Sequence, residues 1–120
     1  MKPNQLEERL IQFAIDVILV CKTIDNSFAS EHLAKQLIRS ATSVALNYAE
    51  AQSGESMRDF LHQLKICLKE LRECLVNMRI QKGASLIQDI NKLDILLKEN
   101  NELISIFVAS IKTASLKLKS

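Results

Sequence analysis

Few residues in this chain can bind or react, and their spacing narrows what they do. Gln36, Arg39, Ser43, Asn47 and Glu50 follow one another at three, four, four and three residues, which lines them along one face of a helix. Lys69, Glu70 and Glu73, on a later helical segment, can stand opposite them. Two readings follow. One is a buried polar network between helices, with Arg39 paired to a carboxylate and Asn47 satisfying backbone groups, which fixes register as well as stability. The other is a groove lined for a ligand. A second set of residues is cationic. Arg58, Lys65, Arg72 and Arg79 recur at sevens with Lys69 beside them, and Lys112, Lys117 and Lys119 follow with no carboxylate after Glu102. They form either a solvated face, with the last lysines favoured at a helix C-terminus, or a phosphate-binding surface that gains affinity by releasing counterions. Glu55, Asp59, Glu70 and Glu73 neutralise part of the stripe. No aromatic residues are interleaved for base stacking, so such a surface would read a nucleic-acid backbone or duplex shape.

Metal and catalytic chemistry find little here. A di-iron bundle needs paired Glu-x-x-His segments, whereas His62 follows Asp59 and His32 follows Ala29 at that spacing. Both histidines read as surface or cap residues. There is no haem-attachment motif, glycine-rich phosphate loop or nucleophile elbow. Cys21, Cys67 and Cys74 lack zinc spacing and read as small apolar core residues in a reducing compartment. The sequence therefore predicts a non-enzymatic protein with no catalytic residue, metal or cofactor.

The elements that must position these groups are helices. With two glycines and one proline in 120 residues, the chain is too poor in turn residues for a sandwich or barrel. Its length suits one domain, residues 1–120. The first helix spans about 4–23, with a seam of Leu6, Leu10, Phe13, Val17, Val20 and Ile24 flanked by Ile11, Ala14, Ile15, Ile18 and Cys21. The second spans about 30–51, with Ser30 as N-cap and small inward residues at Ala34, Ser40, Ala41, Ser43, Ala45 and Ala49. After a break at Ser53-Gly54, the third spans about 56–82, opened by Ser56 with Asp59 and stopped at Gly83. Its seam is Phe60, Leu64, Leu68, Leu71, Leu75 and Met78. The fourth spans about 86–118 after a Ser85–Gln88 capping pair. Its seam runs Leu86, Ile90, Leu93, Leu97, Ile104, Val108, Ile111, Ser115 and Leu118, with a kink or polar layer expected at Asn100-Asn101.

The expected fold is all-α, an up-down-up-down antiparallel four-helix bundle. The apolar surplus on the first and fourth helices points to an oligomer interface. A formal charge of +2 does not by itself define a nucleic-acid binder, because clustering matters more than the sum. No secretory signal or membrane-length apolar run is present, so a cytoplasmic location away from the membrane is expected.

Gln36 to Ala41, Ser43-Val44 and Asn47 to Ala51 resemble the second-helix signature of the 23S rRNA intervening-sequence proteins, a bacterial four-helix bundle family. Ser56, Asp59-Phe60, Ile66, Leu68 to Glu70 and Arg72-Glu73 are similar to its third-helix signature. Ala51 stands where many members have glycine, and Val76-Asn77 where many carry an aromatic pair. The resemblance implies a homopentameric ring and an association with rRNA or another structured RNA. A group of the same fold, the accessory variability proteins of diversity-generating retroelements, uses a more basic pentamer to bind reverse transcriptase and nucleic acid. The leading expectation is thus an oligomeric binding or scaffold protein. The alternative is a protein-interaction adaptor for a reverse transcriptase or other polymerase.

Overall fold

Side-chain chemistry sets where each helix begins. The structure, a computed structural model, describes residues 1–53 and 56–120. The expected break at Gly54 and the carboxylate of Glu55 lie outside the described residues. The described helices are α1 (Pro3–Cys21), α2 (Phe28–Gln52), α3 (Met57–Gly83) and α4 (Ile90–Lys119). Pro3 opens α1, where its missing N–H leaves nothing unsatisfied. Ser56 caps α3 as expected, its Oγ accepting from the Asp59 N–H at 3.1 Å.

Two expected starts move. Ser27, not Ser30, caps α2, its Oγ accepting from the Ser30 N–H at 3.1 Å. Ser30 is buried inside the first turn, where its hydroxyl donates to Asp25 Oδ1 at 2.5 Å. The fourth helix starts at Ile90 rather than 86, capped by Asp89, which accepts from the Lys92 N–H at 3.1 Å. Ser85 and Gln88 make no capping pair, because Ile87 is buried and bridges to Ile24 across the neighbouring connection. That bridge ties the two links together and takes Ile24 out of the α1 seam.

Gly83 is the last residue of α3 but does not make the turn. Ser85 does, at φ 57° in the left-handed region. The Leu86 N–H donates to the Gln81 carbonyl at 3.0 Å and the Ser85 N–H to that of Lys82 at 3.1 Å. This pair of bonds is a Schellman motif, whose left-handed position usually belongs to glycine.

The helices pack in chain order. α2 lies most extensively on α3, α4 on α3 and α1 on α2, while α1 meets α4 only lightly. Bonds run in opposite order along α2 and α3, and along α3 and α4. Leu33, Arg39 and Val44 bond Asn77, Glu73 and Cys67 in turn. Leu71 bonds Asn100, and Lys82 bonds Asp94. The body measures 51 × 21 × 20 Å, close to one long helix in length.

Leu6, Leu10, Phe13, Val17 and Val20 form the buried row of α1 as expected. On α2, Ala34, Leu37, Ser40, Ala41 and Val44 are buried, but Ala49 is exposed. On α3, Leu64, Cys67, Leu71, Cys74 and Met78 take the core, leaving Phe60, Leu68 and Leu75 half-buried on its flanks. The α4 seam turns by one row: Leu93, Leu96, Asn100, Leu103 and Phe107 are buried, whereas Ile90, Val108 and Leu118 are exposed. The cause is Asn100, which sits in the core with its Nδ2 donating to the Leu71 carbonyl at 3.1 Å. Helix α4 continues unbroken through Asn100-Asn101, so the feature is a polar layer. A second layer joins α2 to α3: Asn77 Nδ2 donates to the Leu33 carbonyl at 3.0 Å, and Gln81 Nε2 donates to Asn77 Oδ1 at 2.7 Å.

The α3 terminus generates a stability prediction. A Cβ at Gly83 would meet nothing within 4 Å, and its φ is not positive. Gly83→Ala and Ser85→Gly should each raise stability by about 0.5–1 kcal/mol, whereas Ser85→Val should lower it. Urea midpoints with an unchanged slope would show this.

Candidate functional site

An open groove of about 770 Å³ lies between the outward faces of α2 and α3. Its chemistry is divided along its length. Lys65, Lys69 and Arg72 border one part, whereas Val76 and Ile80, about half exposed, border the other with Leu33 of α2. Gln36, Arg39 and Ser40 face them from α2.

The polar line expected on α2 divides into separate parts. Arg39 Nη2 stands 3.3 Å from Glu73 Oε2, and its Nη1 stands 3.6 Å from Glu70 Oε2. Ser40 Oγ donates to the same Glu73 oxygen at 3.3 Å. These separations are long for hydrogen bonds. Glu70 is only 12% exposed against 62% for Arg39, so a largely buried carboxylate depends on a solvated cation. Asn47 and Ser43 turn to each other instead, Asn47 Nδ2 donating to the Ser43 carbonyl at 2.8 Å and to its Oγ at 2.9 Å. Glu50 is exposed near the end of α2. Of the expected network, Arg39, Glu70 and Glu73 come together, Gln36 lines the groove, and Ser43, Asn47 and Glu50 stay out. Ser40 and Asn77 belong to the site although their small or core-facing positions hid them.

The basic stripe is shared between two grooves. Seven residues fall about 20° short of two turns, so three heptads rotate the line by about 60°. Lys65, Lys69 and Arg72 therefore border the α2–α3 groove, while Arg79 lies with Lys82, Leu97 and Asn101 between α3 and α4. Arg58 stands in the first turn of α3. Lys117 shares a shallow depression with Met57 and Phe60, so the last turns of α4, with Lys112 and Lys119, occupy the same end of the bundle as Arg58.

Reactive groups are scarce. His62 is exposed, and His32 stacks on the exposed Phe28 with ring centroids 5.8 Å apart. Among the described residues no group of three or more His, Cys, Asp or Glu is placed to hold a metal, and no helix is long and apolar enough to cross a membrane. Burial pushes the thiols of Cys67 and Cys74 up to about 12 and that of Cys21 up to about 11, from the usual 9.0. Such thiols pack as protonated side chains.

These features define a small all-helical protein whose chemistry is spread over its surface in a mixed groove and a basic end. The chain belongs to the 23S rRNA-intervening sequence protein family, whose model matches residues 3–109. Lys112, Lys117 and Lys119 fall beyond the match. A crystal structure from Bacteroides thetaiotaomicron VPI-5482, described as a protein with unknown function from the S23 ribosomal protein family, is similar with a TM-score of 0.80 and 26% identity. The similarity covers 93% of this chain and 99% of that one. No curated protein matches the chain.

The buried groups generate two predictions. Because folding raises the thiol pKa values, the stabilisation from burying neutral thiols is fully present below pH 9.0 and is lost as pH climbs through about 11 and about 12. The native protein should resist alkylation at neutral pH and take label on all three cysteines once unfolded, read by mass spectrometry. For the ion pair, Arg39→Met should destabilise by about 1 kcal/mol, between the values of exposed and buried pairs. Adding Glu70→Gln should recover most of that loss in a double-mutant cycle by urea unfolding.

Proposed function

We propose that this protein is a non-enzymatic, self-assembling scaffold that holds structured RNA through its phosphate backbone. In this reading the chain is an up-down-up-down antiparallel bundle, and copies assemble into a homopentameric ring. Membership of a family connected with rRNA supports the RNA association. The unpaired cysteines suit a reducing cytoplasm.

One observation carries the RNA assignment. Beyond Glu102, α4 bears Lys112, Lys117 and Lys119 with no carboxylate, and its last turns occupy the same end of the bundle as Arg58. The α4 lysines are cations without interleaved acids, which is what a polyanion needs, and Arg58 adds to them with its charge partly offset by Asp59. The middle of the α3 stripe suits it less, because Lys65, Lys69 and Arg72 share their groove with Glu73 and exposed apolar side chains. A ring would present the basic end once per copy, so weak phosphate contacts would multiply through avidity.

Light scattering on a size-exclusion column, with absorbance followed at nucleic-acid and protein wavelengths, tests both parts. A ring-sized species that releases RNA at high salt is expected. Changing Arg58, Lys112, Lys117 and Lys119 to Gln should weaken binding to a structured rRNA hairpin and reduce the log–log salt slope by about 3 to 4. An unchanged slope sinks the RNA assignment. A ring free of nucleic acid that ignores RNA at low salt would favour the adaptor for a reverse transcriptase or other polymerase.

A further inference from the structure

We infer that the α2–α3 groove seats the outward face of α1 from a second copy of this chain, so that copies join head to tail. The inference rests on the self-assembly proposed above and names the two faces that meet.

The first face is on α1. Ile11, Ile15 and Ile18 are 39%, 43% and 37% exposed; the other exposed large apolar side chain of α1, Leu19, lies on the α4 side with Ile95 and Leu96. They stand four and three residues apart, the spacing of anchors on a helix that lies in a groove. Glu7 and Glu8 precede them on the same side. Arg9 does not offset these acids on that face, because Arg9 Nε donates to Glu99 Oε2 at 3.0 Å across α4. Read from its N-terminus, this face is acidic and then apolar.

The groove repeats that order with the opposite charge. Along α3 come Lys65, Lys69 and Arg72, then Val76 and Ile80, with Leu33 alongside. The spans agree: ten residues from Glu8 to Ile18 cover about 15 Å, and eleven from Lys69 to Ile80 cover about 16.5 Å. Charge agrees as well. Arg39, Lys65, Lys69 and Arg72 against Glu70 and Glu73 leave +2 in the groove, facing the −2 of Glu7 and Glu8. The match requires the incoming α1 to run parallel to α3. In the reverse direction the two acids would meet Val76 and Ile80, and Ile18 would meet the lysines. In the parallel register Lys22 falls just past Gly83, where α3 ends.

Phosphate is a poorer occupant. Exposed Val76 and Ile80 offer a polyanion nothing, whereas they suit the isoleucines of an incoming helix. Because each copy offers both faces, every docking event leaves one face of each kind free. Such a contact closes into a ring or propagates, and does not stop at a dimer.

A mixing experiment tests this. Ile15→Asp/Ile18→Asp disables the α1 face and keeps the groove, while Val76→Asp/Ile80→Asp disables the groove and keeps the α1 face. All four positions are exposed, so circular dichroism should show both variants folded. Light scattering should show wild type assembled beyond a dimer and each variant alone as a monomer. Mixed one to one, the variants should give a heterodimer of twice 13.6 kDa and nothing larger, because only one good pair of faces remains. As a second check, Glu7→Lys/Glu8→Lys and Lys65→Glu/Lys69→Glu should each weaken assembly tenfold or more, and mixing them should give assemblies in which the two variants alternate. Variants that still assemble like wild type, or a mixture that stays monomeric, would overturn the pairing of these faces and leave self-assembly standing. A monomeric wild type would overturn both, and loss of RNA retention by its groove variant would assign the groove to nucleic acid instead.

Discussion

The close seam between α2 and α3 is the constraint on which the rest of the structure depends. Ser40, Ala41 and Val44 on one side meet Cys67, Leu71 and Cys74 on the other, all buried. The approach is near enough for the Cys67 thiol to donate to the Val44 carbonyl at 3.6 Å. Larger side chains at these positions would push the two backbones apart, and closely packed interiors do not absorb such changes cheaply. The outer helices attach to the flanks of this pair. α1 and α4 meet only lightly, and Arg9 of α1 bonds Glu99 of α4. Bulk is supplied across the middle by Phe13, Tyr48 and Phe107, the last two packed edge to face with centroids 5.7 Å apart.

A seam of small side chains has two consequences. It buries little apolar area per residue, so many of the chain's large apolar residues are left at the surface rather than in the core. It also gives weak guidance on register, since small residues slide past one another more easily than interlocked leucines. The buried amides supply what is missing. Asn100 bonds the carbonyl of Leu71, and Asn77 bonds that of Leu33 while accepting from Gln81. Sliding either helix by a turn would leave these buried groups without partners, at about 1–3 kcal/mol for each.

Much of the fold is legible in the amino-acid sequence, because apolar periodicity and Ser or Pro at helix starts are local signals. The α1 row and the Ser56 cap lie where the pattern places them. The sequence misleads where a tertiary contact overrides a local cue. Ser30 has the right chemistry for a cap, but Asp25 draws its hydroxyl inward and Ser27 takes the role. Leu86 and Ile87 continue the period of α4, yet the bridge to Ile24 holds them extended. Treating Asn100 as an interruption shifts the whole α4 seam by a row, since a buried amide looks like a surface residue to any hydrophobic count. The site is less legible than the fold. Equal spacing puts Arg39, Ser43 and Asn47 on one face, but spacing does not reveal that Asn47 satisfies itself on Ser43.

The cations illustrate the same limit and its use. A heptad repeat stays on one side of a helix only if the helix supercoils, and in a straight helix it winds steadily around the axis. Winding carries Arg79 toward the α4 side, away from Lys65, Lys69 and Arg72 in the α2–α3 groove, while Arg58 is set apart by its place in the first turn of the helix. Each group then meets different neighbours. In the groove, cations and apolar side chains in sequence make the surface proposed to take a helix of matching pattern. At the end of the bundle, the lysines of α4 have no nearby carboxylate from their own helix and stay available to a polyanion. Under the function and assembly proposed above, one sequence repeat serves assembly at its centre and RNA at its end, because rotation about the helix axis and position along it place like charges in unlike surroundings.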